Sequence, residues 1–271
     1  MKRIEIPLIE RKDNNSITRA DIIKKVSRIA DLYKRSEVSA LWYKYQNNIE
    51  FTKDDLITLY DIFNEDYMLN ENKKKFINLM CNGRKKLINF DMAKIFDCSV
   101  EEIASNQFHL KKNPSRYVVL LDSLDIYYAD NYQYKNLKYI RKCCSIMDML
   151  STKDILPKLE SIGGELSIFQ LSSCYEFKTL KSIGDDAYLS KLQDASGLCN
   201  LEIIGGNAVF NSLKDARGLS NLRIIDGNAE FDDLVDLSDL TNLEYIGRTW
   251  YFNSLSDDDR NTLKKRLKKV R

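Results

Sequence analysis

A leucine returns at one constant interval through the second half of this chain, at Leu159, Leu180, Leu201, Leu222 and Leu243. Three residues after each comes an isoleucine: Ile162, Ile183, Ile204, Ile225 and Ile246. Nine after it stands Ile168, Leu189, Phe210, Phe231 or Phe252, and twelve after it Leu171, Leu192, Leu213, Leu234 or Leu255. Asn200, Asn221 and Asn242 sit directly before the leucine. Gly163, Gly184, Gly205 and Gly247 sit directly after the isoleucine, with Asp226 the exception. A fixed period of this length marks a structural repeat, because one unit cannot bury its apolar face alone and stacked copies build a continuous core. A less regular copy precedes these five: Asn136, Leu137, Ile140, Cys144, Ile146 and Met149, set one position further back than the period requires. Terminal repeats are atypical because they cap a stack, so it is expected to be the first coil.

One unit, NLEIIGGNAVFNSLKDARGLS, is too short to hold a strand, a full α-helix and two turns. Its alternation predicts an extended segment with Ile204, Gly206, Ala208 and Phe210 on one face and Gly205, Asn207, Val209 and Asn211 on the other. Leu213, Leu219 and Leu222 suit tight turns or 3₁₀ pieces that close the coil. Asp215 to Gly218 supplies a polar-glycine turn. These residues resemble leucine-rich repeats of the short bacterial kind and the repeats of receptor L-domains. The usual second strand leucine is replaced by Gly206 and its equivalents. The resemblance implies a ligand-binding scaffold and implies no catalytic residues.

Comparing the repeats with one another separates scaffold positions from free ones. The inward columns hardly vary; the outward ones do. Ser167, Tyr188, Val209, Glu230 and Tyr251 form one outward row. Glu165, Asp186, Asn207, Asn228 and Thr249 form a second, and Phe169, Ser190, Asn211, Asp232 and Asn253 a third. Aromatic side chains in a polar field have the composition of an interface. The predicted protein-binding residues are therefore Phe169, Tyr188, Val209, Glu230, Asp232, Tyr251 and Asn253. The acids Glu230, Asp232, Asp233, Asp236 and Asp239 favour a partner with a basic contact surface. They lack the repetition of calcium-binding solenoids, so no metal or other cofactor is expected.

The chain ends in a predicted helix. Ser256 is its N-cap candidate, Asp257, Asp258 and Asp259 fill its first turn, and Lys264, Lys265, Arg266, Lys268 and Lys269 its far end, as the helix dipole favours. Residues 17–135 read mainly as helices. Thr18 to Asp21 and Thr52 to Asp55 are capping patterns. The apolar faces are Ile22, Val26, Ile29, Leu32 and Tyr33, then Leu56, Leu59, Tyr60 and Phe63, then Phe76, Leu79, Met80 and Leu87. Residues 90–116 resemble a helix-turn-helix in part: Ala93, Ser99 opening a helix with Glu102 in capping-box position, and Ile103. Lys111, Lys112 and Arg116 are its candidate phosphate contacts. Asp97 stands where glycine is usual, and Asn106 where an apolar residue is.

Catalysis finds no foothold in the sequence. His109 is the lone histidine, and phosphate-cradling glycine loops, H-E-x-x-H and G-x-S-x-G are absent. Cys81, Cys98, Cys143, Cys144, Cys174 and Cys199 form no CxxC pair and suit small core positions of a reduced protein. Residues 1–150 carry 26 Lys+Arg against 21 Asp+Glu, residues 151–255 carry 9 against 16, and residues 256–271 carry 7 against 3. The repeats are thus the acidic part. No apolar stretch approaches a signal h-region or the ~18 residues needed to span a bilayer. With only three prolines, no linker separates the parts.

The sequence therefore predicts an α+β chain: a mainly helical N-terminal domain (residues 1–135), a leucine-rich-repeat-like β-solenoid with 21-residue coils (136–255) and a C-terminal capping helix (256–271). It is expected to be a non-enzymatic, cytoplasmic adaptor or inhibitor that binds another protein, with secretion without a cleaved signal as the other possibility. The Lys/Asn-rich, proline-poor composition resembles that of low-GC bacteria and their phages. The alternative is a DNA-binding regulator that uses residues 90–116, with the solenoid as sensor or dimeriser.

Overall fold

Each repeat turns a corner between two short strands, and the strands of successive repeats stack in parallel into two sheets. The computed structural model describes residues 40–64, 87–127, 132–147, 155–174 and 177–267. These belong to two compact units, Met1–Ile95 and Phe96–Arg271. In the second unit the first sheet has eight strands: β1 (Ile103–Ala104), β2 (Val119–Leu120), β4 (Tyr139–Ile140), β6 (Ser161–Ile162), β8 (Ser182–Ile183), β10 (Ile203–Ile204), β12 (Ile224–Ile225) and β14 (Tyr245–Ile246). The second sheet has seven: β3 (Leu124–Ile126), β5 (Cys144–Ile146), β7 (Leu166–Ile168), β9 (Ala187–Tyr188), β11 (Ala208–Val209), β13 (Ala229–Glu230) and β15 (Trp250–Tyr251). All pairings are parallel, and from β6 onward the register advances by one 21-residue period per coil, as in Ile204↔Ile225 and Ala208↔Ala229. The second unit is a parallel β-solenoid.

The alternation within one repeat predicts a single extended segment, and here the structure differs. Gly205, Gly206 and Asn207 form a corner between β10 and β11, so Ile204 and Ala208 lie in different sheets. The corner is tight because a side chain has no room: a Cβ on Gly205 would run into the Gly184 carbonyl oxygen of the preceding coil. The inward assignment does hold. Every residue of the four repeating apolar columns is buried in one continuous core. Phe210, Phe231 and Phe252 stack ring on ring in that core, with centroids 5.0 and 5.1 Å apart. Offset aromatic stacking of this kind adds to the stability from burial alone.

Side chains on the return path complete the stack. Asn200, Asn221 and Asn242 each donate from Nδ2 to a carbonyl of the coil before, those of Lys178, Cys199 and Ser220, at 2.5–2.6 Å. The asparagine before Leu201, Leu222 and Leu243 thus satisfies a turn carbonyl that no strand reaches. Asp194, Asp215 and Asp236, again one period apart, accept the backbone N–H two residues on and shape each return turn. Gly218 closes its turn in the left-handed region at φ 95°, packed against the Ala195 carbonyl. Ahead of the first sheet runs a column of alternating sign: Lys138, Glu160, Lys181, Glu202, Arg223 and Glu244, joined backbone to backbone. Ion pairs link Lys138–Glu160, Lys181–Glu160 and Arg223–Glu244 at 3.7, 3.8 and 3.2 Å.

The stack starts earlier than the leucine pattern. β1, β2 and β3 lie upstream of residue 136 and pair in register with the coils that follow. Both ends are closed. A short helix, α3 (Gln107–Lys112), sits at the first coil, where Gln107 bonds the backbone N–H of Asp125 in β3 and approaches its carboxylate. At the other end α4 (Asp257–Arg266) is N-capped by Ser256, which accepts from Asp259 N–H at 3.1 Å. Leu263 buries into the solenoid core, and Arg266 donates to the Leu240 carbonyl. Covered ends keep free strand edges from pairing with other chains.

In the first unit, residues 40–46 are helical, followed by α1 (Lys53–Asn64) and α2 (Ile88–Phe96). The capping pattern at Thr52 is present: Asp55 N–H donates to Thr52 Oγ1 and Thr52 N–H to Asp55 Oδ2. Burial alone would raise the Asp55 carboxyl, but hydrogen bonds from Lys44 and Thr52 outweigh it and hold the group below its usual value. Leu56, Leu59 and Tyr60 are buried, as their spacing predicts. Thr18 to Tyr33 and Phe76 to Met80 lie outside the described residues.

Phe231→Ala removes the middle ring of the stack and is expected to cost about 3–5 kcal/mol in urea unfolding followed by circular dichroism. Asn221→Ala, which only releases one turn carbonyl, is expected to cost about 1 kcal/mol. Equal losses for the two would mean that the aromatic column does not carry the core.

Candidate functional site

The outward face of the second sheet presents the rows that the repeat comparison singles out. Backbone register places Ser167, Tyr188, Val209, Glu230 and Tyr251 side by side across β7, β9, β11, β13 and β15. The row extends upstream through Ser145 and Asp125. Neighbours in such a row are about 4.8 Å apart, so it is one continuous surface. Its members are unequally accessible. Tyr251 is 46% exposed and Tyr188 36%, whereas Val209 is 9% and Ser167 only 2% exposed. Val209, one of the predicted contact residues, is thus largely covered. Ser167 donates its hydroxyl proton to Glu165 and lies beneath the surface.

The row beside it has a different role from the one its variability suggests. Asp186 accepts the Asn207 backbone N–H at 2.5 Å, Asn207 accepts that of Asn228 at 2.9 Å, and Asn228 accepts that of Thr249 at 3.1 Å. These side chains staple each corner to the next. They are scaffold, and the signal that marks them is an Asn or Asp at constant period, directly after a glycine at Asn207 and Asn228. Asp186 holds Tyr188 as well: the Tyr188 hydroxyl donates to Oδ2 at 2.8 Å. That hydrogen bond, with burial and the charges of Asp186, Glu165 and Asp185 adding to it, pushes the phenol up to about 12. Tyr188 is in this way a pre-positioned ring with its polar end anchored.

The third row carries the most exposed aromatic of the face, Phe169 at 52%. Ladder bonds from Met147 N–H to Ile126 and from Phe169 N–H to Ile146 place Tyr127, Met147 and Phe169 in line. Downstream in the same row Asn253 donates to Asp232 at 2.5 Å. Glu230, Asp232 and Asp233 are accessible beside Tyr251. Asp185 is raised by burial and by its neighbours Asp186 and Glu165. The face therefore combines exposed aromatic rings, of which Tyr188 is anchored, with crowded carboxylates, a surface that attracts positive charge.

The helix-turn-helix expectation for residues 90–116 is overturned. Asp97 does take the left-handed φ of 50° at the turn, and Ser99 N–H bonds Glu102. Yet that capping box opens only a 3₁₀ turn, Val100–Glu102, after which Ile103 and Ala104 join the first sheet as β1. Pairing with Val119 and Leu120 wins over the helical start. Asn106 instead caps α3, accepting from His109 N–H at 3.0 Å. The helix that would enter a groove is not formed at Ser99, and Lys111, Lys112 and Arg116 lie on and after α3. His109 faces solvent with Nδ1 2.8 Å from Ser105 Oγ. Cys98, Cys143, Cys144, Cys174 and Cys199 are free thiols. Burial pushes Cys144 and Cys174 up to about 12, which leaves them protonated and inert at neutral pH. Among the described residues no three His, Cys, Asp or Glu side chains converge to hold a metal ion, and no helix is long and apolar enough to cross a membrane.

No protein-family model, curated protein or solved structure gives a significant match to the chain.

Absorbance titration at 295 nm, as a difference between the protein and its Tyr188→Phe variant, is expected to show a phenol ionising near pH 12. Asp186→Asn should move it toward 10, the ordinary value. Because the folded-state pKa is the higher one, the bond contributes up to about pH 10 and is lost as pH rises through about 12. A Tyr188 phenol that titrates at its ordinary value would refute the anchored ring.

Proposed function

We propose that this chain is a non-enzymatic protein-binding module whose contact surface is the outward face of the second sheet. The observation that carries the proposal is the row Ser167–Tyr188–Val209–Glu230–Tyr251, held at fixed register on a scaffold whose inward columns scarcely vary. Where backbone and core repeat, the accessible members of that row, Tyr188, Glu230 and Tyr251, can differ to fit a partner. Tyr188, Tyr251 and Phe169 are the anchors, since rings lose little conformational freedom on binding and hold large contact area. Glu230, Asp232, Asp233 and Asn253 form the surrounding polar field. It suits a basic partner surface, because carboxylates speed encounter with cations and reject anions.

The repeat is assigned to the short leucine-rich kind, alongside receptor L-domains, on its leucine, asparagine and glycine positions. The composition supports a bacterial or phage adaptor or inhibitor acting on a host or defence-system protein in the cytoplasm. With its second helix replaced by a strand, the DNA-binding regulator loses the feature that supported it.

Tyr188→Ala combined with Tyr251→Ala is expected to weaken partner binding by about 2 kcal/mol or more while leaving the melting temperature within a few degrees. The check is capture from nuclease-treated bacterial lysate, followed by titration of the captured protein against both forms. Equal affinity for the double variant would move the interface off this face.

A further inference from the structure

The segment ahead of β2 carries a second surface, opposite in charge to the repeats. From Ile103 to Leu121 the chain has no Asp or Glu, while Lys111, Lys112, Arg116 and His109 fall within it. The next two acids are engaged: Asp122 pairs with Lys142 at 2.8 Å, and Asp125 receives Gln107. α3 is pinned by a single buried side chain, Leu110, together with its Asn106 cap and the Gln107 contact. Its other face points to solvent. Phe108, at 65%, is the most exposed large apolar side chain among the described residues. Lys112 Nζ lies 4.5 Å from the Phe108 ring centroid, and Lys111 Nζ lies 5.8 Å from that of Tyr132, itself exposed. Arg116 lies over the Tyr117 ring, and the carboxyl of Glu102 is lowered by its hydrogen bonds with Ser99 and, after them, by the Arg116 charge. Lys111 and Lys112 are the cations that α3 itself carries.

The geometry points to a site for single-stranded nucleic acid on this end of the solenoid unit, separate from the protein-binding face. Unpaired bases stack on exposed aromatic rings without regard to sequence, and neighbouring lysines meet the phosphates. Phe108 and Tyr132 supply two rings, and Lys112 and Lys111 place an ammonium beside each. Duplex is disfavoured, because a buried stack leaves no base face for Phe108 to cover. An anionic membrane is a poorer fit: Leu110 is committed to the core, so Phe108 is the only large apolar side chain that α3 offers to a bilayer.

The test is fluorescence anisotropy of a labelled oligothymidylate of roughly 15 nucleotides, titrated with the full chain at several salt concentrations. The expected result is binding that weakens about tenfold in Phe108→Ala, consistent with the loss of one stacked base. In Lys111→Gln/Lys112→Gln the slope of log affinity against log salt should shrink by about 1.4, two phosphate contacts. Tyr188→Ala/Tyr251→Ala, which alters only the protein-binding face, should bind the oligonucleotide like the parent chain, so the two surfaces can fail independently. Absence of binding by the parent chain would overturn the proposal. So would affinity unchanged in Phe108→Ala, preference for duplex of the same length, or binding to phosphatidylserine vesicles without binding to the oligonucleotide.

Discussion

In a parallel, in-register stack every side chain has its own equivalent as neighbour, about 4.8 Å above and below. That spacing governs the whole repeat region, because a residue type persists in a column only if it tolerates a copy of itself or its complement at that distance. Phenylalanine does, by stacking ring on ring. Asparagine does, because its amide donates past its own equivalent to the carbonyl one residue earlier in the preceding coil. The Asp186, Asn207 and Asn228 corner staples follow the same rule with carbonyl and carboxylate oxygens accepting from backbone N–H groups. Glycine enters where the preceding carbonyl leaves no room for a Cβ.

Function becomes possible where the constraint is relaxed. The outward row of the second sheet reaches solvent at Tyr188, Glu230 and Tyr251, so its members need only coexist, and serine, tyrosine, valine, glutamate and tyrosine succeed one another. A rigid backbone with unlike side chains at equal spacing is preorganised for binding, because little order remains to be imposed when a partner arrives. Asp186 shows the two roles meeting: one oxygen staples the corner and the other steadies the Tyr188 ring.

Much of this was legible in the sequence because period and burial coincide. The four apolar columns, the first-turn acids and Ser256 cap of the last helix, and the Thr52 cap of α1 follow from spacing alone. The corner at Gly205–Asn207 does not, since a period of two runs on unbroken through a bend between two sheets. Asn207 and Asn228 look like free outward positions because side-chain bonds to the next backbone leave no hydrophobic trace. The coil from Val119 to Ile126 escapes the period as well: it precedes the next by one position less than the repeat, and Val119 and Leu120 carry no asparagine or glycine marker. At Ser99 a genuine capping box gives a local helical signal, and strand pairing with Val119, distant in sequence, decides otherwise.

The column Lys138, Glu160, Lys181, Glu202, Arg223 and Glu244 has a period of two coils, twice that of everything else in the stack. Its exposed pairs contribute little individually, yet they make odd and even coils inequivalent. Loss or duplication of one coil would bring cation against cation, or acid against acid, at the new junction. Loss or duplication of two would restore the alternation. An array of this kind is expected to change length in evolution by pairs of repeats, so that the heritable unit is a double coil although the structural unit is a single one.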